Sequence, residues 1–510
     1  MSLARLRSRA PSGLDAPPVW VEIHLSGGLP SFTIVGLPEA AVRESRERVR
    51  SALINSGFDF PARRITVNLA PADIPKHGGR FDLPIALGIL AASGQIKPAV
   101  TDLPGEYLGE LGLGGELRSV TGALPSVIAA HEAGHTVMLP ETNCAEASLV
   151  EGASLLGTDS LIQAAAHLSG SALIAEQTGG QRSVQPEGRC AEVDLGDVCG
   201  QPFGVRSLEI AAAGGHSLLM VGPPGCGKTM LAERLAGILP DMSPSEALAT
   251  AAVYSVSHLG FDSQHWQRRP FRAPHHSASA VALIGGGARV GPGEISLAHN
   301  GVLFLDELTE FSRHALDQLR EPLESGSVSI ARAERTVRYP SRFQWVSAMN
   351  PCPCGYNGDR SGRCRCTSEQ VRRYQGRLSG PLVDRVDLHV RLQSVDPVAL
   401  QARRLPIQSS AQVKRRVHSA RERQLARAGN INAYLTHKEL GLAAPLDEAS
   451  RRFLEEAVRQ LGISLRGHHR ILKVARTIAD LENTATLREE HIAEALQYRP
   501  PDGAAPGQPN

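Results

Sequence analysis

An α/β fold in about three domains is what the sequence predicts, and three observations predict it. The chain has 510 residues, enough for domains of about 100–200 residues that each bury a core. Near the middle, an apolar strand, Leu218-Leu-Met-Val221, enters a glycine-rich loop and then a helix, Met230–Leu239. Farther on, a second apolar strand ends in two adjacent acids, Asp306 and Glu307. Strand–loop–helix units of this kind build parallel sheets covered by helices.

Composition narrows the class. Hydrophobic residues make up 42% of the chain and charged residues 21%, the balance of an ordinary globular protein. Net charge is only +2, so any nucleic-acid surface has to be a local patch. Met1–Pro18 carries arginines with no apolar run behind them, which excludes a secretory leader, and no apolar run is long enough for a bilayer. Four of the eight cysteines crowd between Cys352 and Cys366. That clustering points to metal and not to a disulfide framework. The expectation is a cytoplasmic chain with no membrane partner.

Residues 1–172 should form the first α/β domain, with strands at Ile65–Leu69 and Thr136–Leu139 and helices at Glu39–Ser56 and Leu124–Ala133. A polar linker is expected over 173–193 and a second α/β domain over 194–397. Residues 398–500, rich in Arg, Ala, Leu and Glu with few glycines, should form a small helical lid. The Pro/Gly-rich tail 501–510 reads as disordered.

The loop after the first strand is Gly222-Pro-Pro-Gly-Cys-Gly-Lys228-Thr229, followed by Met230. This is G-x-x-x-x-G-K-T in its required setting. Gly222, Pro223, Pro224, Gly225, Cys226 and Gly227 would turn backbone N–H groups onto phosphates, at a helix N-terminus that favours negative charge. Lys228 would reach the terminal phosphates of ATP, and Thr229 would ligate Mg²⁺. Asp306 and Glu307 stand where open α/β sheets hold ligands, at a strand's carboxyl end. Asp306 would hold Mg²⁺ through water, and Glu307 would polarise the attacking water. Such a pair is often only a helix cap, but behind this loop the catalytic reading prevails.

Around these motifs lie Asp197-Val-Cys-Gly-Gln201, Phe271-Arg-Ala-Pro-His-His276, Pro292–Asn300 and Ser347-Ala-Met-Asn-Pro-Cys352. Together they resemble the magnesium-chelatase-like branch of AAA+ ATPases, and the chain as a whole resembles the ComM/YifB family over roughly residues 3–500. The resemblance implies a Lon-protease-like domain, an AAA+ core and a helical lid. It assigns Asn350 to sensor 1, Arg385 to an arginine finger serving a neighbouring subunit, and Arg466 to sensor 2. It places Val198 and Gln201 beside adenine. Fixed cations must meet the charge on the transferring phosphoryl group, and a finger acting in trans implies a homo-oligomeric ring, six-membered in this family.

The resemblance further implies a pore-facing insert over 264–298, where Arg272, His275, His276 and Arg289 are candidate DNA contacts. The stretch Val328–Arg338 alternates apolar residues around a basic tip carrying Arg332 and Arg335, as in a β-hairpin. It is similar to the hairpin with which helicases of this branch touch DNA; a merely solvated hairpin is the alternative. Cys352, Cys354, Cys364 and Cys366 form two C-x-C pairs over 352–366. Four thiolates suit structural Zn²⁺, while the one-residue bite leaves unmetallated thiols open.

Pro75–Asp82 and Gly112–Ser126 resemble the Lon protease domain, whose chemistry needs a serine activated by a lysine. Arg80 and Pro125 stand at those two positions, so proteolysis is not expected. A ring-forming collar, or a platform for DNA or a partner, is the remaining role. The family resemblance implies a Mg-ATP-dependent DNA motor (a branch-migration helicase on single-stranded and branched recombination intermediates) active in natural transformation. A chelatase-like protein-remodelling or metal-insertion ATPase is the alternative.

Overall fold

Alternation decides the first sheet. In β1 (Leu3–Arg9) Ala4 and Leu6 turn inward, and in β4 (Arg64–Ala70) Ile65, Val67 and Leu69 do the same, as a period of two requires. The structure, a computed structural model, describes residues 3–96, 102–180, 193–287, 290–332, 335–359, 362–394 and 408–499. β2 (Pro18–Ser26) and β3 (Ser31–Val35) complete one half of that sheet. β5 (Asp102–Tyr107), β8 (Val137–Pro140), β9 (Ser154–Thr158) and β10 (Gln177–Thr178) form the other, in the order β10-β9-β8-β5-β1-β2-β4-β3. A short side ribbon joins β6 (Glu110–Leu111) to β7 (Leu117–Arg118). Helices α1 (Ala40–Asn55) and α2 (Asp82–Ser93) cover the sheet, and the Pro84–Leu90 run of α2 is wholly buried. Around the other half of the sheet lie α3 (Ala123–Glu132), α4 (Glu141–Ala147) and α5 (Leu161–Leu168).

β10 falls inside the stretch expected as linker. It pairs antiparallel with β9, so the first domain keeps its chain at least to Thr178. Residues 181–192 of that expected linker and the tail 501–510 lie outside the described residues.

The second sheet is all parallel, ordered β12-β15-β18-β11-β19, from β11 (Leu218–Val221), β12 (Phe271–Arg272), β15 (Val302–Leu305), β18 (Gln344–Met349) and β19 (Leu388–Arg391). β11 and β15 are continuous apolar runs, as burial on both faces demands, and β18 is buried throughout although it carries Gln344 and Ser347. Helices α6 (Pro202–Gly214), α7 (Lys228–Ile238) and α8 (Pro244–Ser255) flank it. The edge strand β12 sits within the segment expected as a pore insert, so the insert proper starts after it. Between β12 and β15 the chain makes two short helices, Ala280–Ile284 and Glu294–Leu297, and a ribbon of β13 (Gly285–Gly286) with β14 (Gly291–Pro292).

The expected hairpin is present as β16 (Ser327–Arg332) and β17 (Arg335–Pro340), with Arg332 facing Arg335 in the last pair. Its apolar side, Val328, Ile330, Val337 and Tyr339, packs on Leu14 of the first domain and on Val256, Ile284 and Val290. Helix α3 docks on α8, where the Gly122 N–H donates to Ser255 O at 2.8 Å. The lid is helical, as expected. Its long helices, Ser410–Ala428 and Leu465–Leu481, share one core with α6 and the parallel sheet.

Candidate nucleotide site

Three adjacent strands, β15, β18 and β11, deliver the site at their carboxyl ends, where a parallel sheet leaves a crevice. Gly225 and Gly227 hold φ of +76° and +91°, the left-handed region that a side chain would oppose. That conformation turns the loop, and α7 begins at Lys228 with its N-terminus facing the loop. Gly222 N–H donates to Met349 O at 3.2 Å, stitching the loop to β18. Lys228 Nζ donates to Gly222 O at 2.8 Å, to Pro223 O at 3.0 Å and to Asn350 Oδ1 at 3.0 Å. Burial holds the Lys228 ammonium below its ordinary pKa, so its charge is poorly solvated and open to an anion.

Thr229 Oγ1 donates to Asp306 Oδ2 at 2.7 Å. Hydroxyl and carboxylate side by side are the oxygen donors that suit Mg²⁺, and these residues fit the ion. Asp306 Oδ1 accepts the Glu307 N–H at 2.8 Å. Glu307 adopts φ +51°, a conformation rare outside glycine and asparagine that concentrates at functional positions. His276 Nδ1 lies 3.0 Å from Glu307 Oε2.

Beside the loop, Val198 is buried after a short turn at Leu195–Asp197. Gln201 Nε2 donates to Cys226 O at 3.1 Å and to Gln393 O at 2.7 Å. Cys226 is buried, and burial raises its thiol pKa. Met230 is exposed in the first turn of α7.

Arg385 and Arg466 are not brought to the phosphate loop of their own chain. Both line a separate cavity of about 510 Å³ whose walls include Arg342, His469, Arg470 and Lys473 and no residue of 222–230. Arg385 is held there by Pro381 O at 2.6 Å and by the Glu324 carboxylate. Asp387 anchors the cavity floor: it accepts the Ser217 N–H at 3.2 Å and pairs with Arg470 at 3.4 Å. Burial opposes its ionisation, but the His216 ring and Arg470 pull its carboxyl down to about 2.

The DNA candidates separate. Arg272 is committed to a two-pronged pair with Glu294, at 2.7 and 2.8 Å, so that cation is neutralised inside the fold and is no free phosphate contact. His276 pairs with Glu307, and the His275 ring lies tilted against it by 34°, with 4.1 Å between ring centres. Arg289 lies outside the described residues. Arg332 and Arg335 hold the hairpin's last described rung, and their side chains lie outside the described residues. In the first domain, buried Arg80 donates to Thr121 O and Pro125 sits in the first turn of α3. Neither supplies a hydroxyl or an amine.

The four cysteines converge. Cys352 Sγ lies 3.4 Å from Cys354 Sγ and 3.8 Å from Cys364 Sγ, with 3.7 Å between Cys354 and Cys364. All four sulfurs lie within 4.8 Å of one another. Sulfurs at about 2.3 Å around a tetrahedral zinc would stand roughly 3.8 Å apart, so the set fits that ion. The Asn357 N–H donates to Cys352 Sγ at 3.3 Å, as backbone does around thiolates.

A profile described as "Magnesium chelatase, subunit ChlI" matches residues 194–400. One for "Subunit ChlI of Mg-chelatase" matches 21–143, and one for its C-terminal part matches 407–499. "Uncharacterized protein YifB" of Escherichia coli is 49% identical over 500 residues, 98% of this chain and 97% of that protein. "Competence protein ComM" of Haemophilus influenzae is 49% identical over 502 residues, 98% of each. The chain belongs to the YifB/ComM family of magnesium-chelatase-like AAA+ proteins. Within that branch, rice chloroplastic magnesium-chelatase subunit ChlI is 23% identical over 217 residues, 42% of this chain and 46% of that protein.

For a YifB/ComM chain, the sequence missed the Glu307–His276 pair, the Glu324 brace on Arg385, and the company that Arg470 and Lys473 keep with Arg466. The position of His276 just past the edge strand was the available signal, hidden because β12 has only two residues.

Proposed function

We propose that the chain is a Mg-ATP-hydrolysing motor that acts on DNA as a six-membered ring in the cytoplasm. It would drive branch migration of recombination intermediates when single strands taken up in natural transformation are integrated. The convergence of Lys228, Thr229, Asp306, Glu307 and Asn350 at the carboxyl ends of three adjacent strands carries the ATPase reading. Lys228 and the loop amides bind the phosphates. Thr229 and Asp306 hold magnesium, which supplies charge neutralisation on the phosphate oxygens. Glu307, steadied by His276, orients the attacking water and draws its proton, with Asn350 fixing the geometry.

Arg385 and Arg466 stand together in a cationic cavity away from their own loop, which supports service to a neighbour's nucleotide and hence a ring. Competence is in the name of a relative 49% identical over 98% of its length, and it supports DNA as the track. The hairpin with Arg332 and Arg335 is the proposed grip on phosphates, and Arg289 a further contact. The four cysteines hold a structural zinc.

The test is ATPase activity with no DNA, single strands, duplex and a four-way junction, with electron micrographs of the same mixtures. Stimulation by DNA and ring particles are expected; a monomer with one rate throughout defeats the motor reading. Glu307→Gln should bind ATP and lower turnover by about 10²–10⁴-fold, and fast turnover removes its role. A second reading, a protein-remodelling or metal-insertion ATPase, is favoured by the ChlI profiles that match all three parts of the chain. ATPase indifferent to DNA but raised by a protein partner would select it.

A further inference from the structure

The cysteine loop is built against the nucleotide site at three places. It leaves β18 through Asn350, whose Oδ1 accepts from Lys228 Nζ at 3.0 Å. Its turn then presses on the phosphate loop. Gly355 holds φ +86°, and a Cβ built there would stand 2.7 Å from Pro224 Cδ, a contact no side chain could share. On the adenine side, Ser394 Oγ donates to Asp359 Oδ1 at 2.6 Å. The residue before it, Gln393, accepts from Gln201, which also holds Cys226 O.

Among the described residues, Arg363 adds a pair with Asp359 at 3.7 Å and lies 4.2 Å from the centre of the Tyr356 ring. Of the four cysteines only Cys352 is buried. The described bonds that tie the turn include Gly355 N–H to Cys352 O at 2.9 Å and Gln375 Nε2 to Pro351 O at 3.0 Å. A segment so poor in apolar burial gains its shape from a crosslink.

We propose that the cysteine knuckle is a wall of the nucleotide pocket, so that zinc on its sulfurs and nucleotide on the phosphate loop strengthen each other's binding. The inference rests on the zinc reading above. Zinc fixes the turn that abuts Pro224; nucleotide fixes the loop that abuts Gly355. Coupling through one contact is reciprocal, and a fivefold to 150-fold effect is the usual size. Nucleotide must therefore raise zinc affinity by the same factor through which zinc raises nucleotide affinity.

The experiment uses the full chain purified without chelator. Zinc content is measured first, and then the equilibrium partition of zinc between the chain and a coloured chelator, with and without Mg-ATPγS. About one zinc per chain and a zinc affinity raised about fivefold or more by the nucleotide are expected. Ser394→Ala, which leaves sulfurs and phosphate loop intact, should shrink that gain at unchanged zinc content. Gly355→Val should weaken ATPγS binding with zinc retained. Equal zinc affinities with and without nucleotide in the wild-type chain overturn the coupling while leaving zinc in place; a folded chain without zinc overturns the zinc reading and the coupling with it.

Discussion

His276 Nδ1 approaches Glu307 Oε2 to 3.0 Å, tying the acid behind β15 to the segment behind the edge strand β12. The strained backbone at Glu307 gives this contact a purpose. A residue held at φ +51° has few alternative poses, and the imidazole fixes its side chain too. His276→Ala should lower kcat about tenfold, near 1.4 kcal/mol, with ATP affinity unchanged. Equilibrium binding of a fluorescent nucleotide beside steady-state turnover separates the two, and an unaltered kcat would detach His276 from catalysis.

Arg385 lines a cavity that includes no residue of the phosphate loop bearing Lys228. If the arginine serves the neighbour, Arg385→Ala and Lys228→Ala chains, each inactive alone, should recover turnover when mixed, because some interfaces then pair an intact loop with an intact arginine. Loss of the finger should cost about 10³–10⁵ in rate. Mixtures that stay as inactive as their parts would assign Arg385 a role within its own chain.

His299 offers a pH dependence. Its Nδ1 accepts the Arg342 N–H at 3.1 Å, so the ring is held neutral. Burial, aided by the Arg342 charge, pushes its pKa down to about 4. A depressed histidine contributes stability that is fully present above its unfolded value of about 6.5 and is lost as pH falls toward about 4. Between pH 7.5 and 5.5 the wild-type chain should lose about 1.4 kcal/mol through this ring. His299→Gln should remove that share of the slope. Urea titrations at the two pH values measure it, and identical slopes would mean the ring titrates freely.

Arg332 closes the described hairpin. Arg332→Ala should weaken DNA binding on any sequence and reduce the salt slope of log K by about 1. An unchanged slope in fluorescence anisotropy would clear the hairpin of phosphate contact.

How legible all this was in the sequence depends on chain distance. The phosphate loop, the acids after β15 and Asn350 after β18 are each a strand plus the residues just beyond it, and the pattern of apolar run and turn announces them locally. The helical lid was legible for the same reason. The Arg272–Glu294 pair, the His276–Glu307 contact and the meeting of Gly355 with Pro224 are long-range events. Nothing in periodicity says that a basic residue in an insert will be neutralised by a glutamate 22 positions later, or that a histidine will serve an acid one strand away. β12 was invisible because two residues carry no alternation.

The seating of Leu14 on the hairpin and of α3 on α8 makes the first domain inseparable from the second in a practical sense. Cut the chain ahead of residue 194, and Ala251 and Ala252 would lose the cover of α3, while Val328 and Tyr339 would lose that of Leu14. A chain so shortened would be sticky. The first domain, with Arg80 and Pro125 offering neither a hydroxyl nor an amine, serves as a cover for the second.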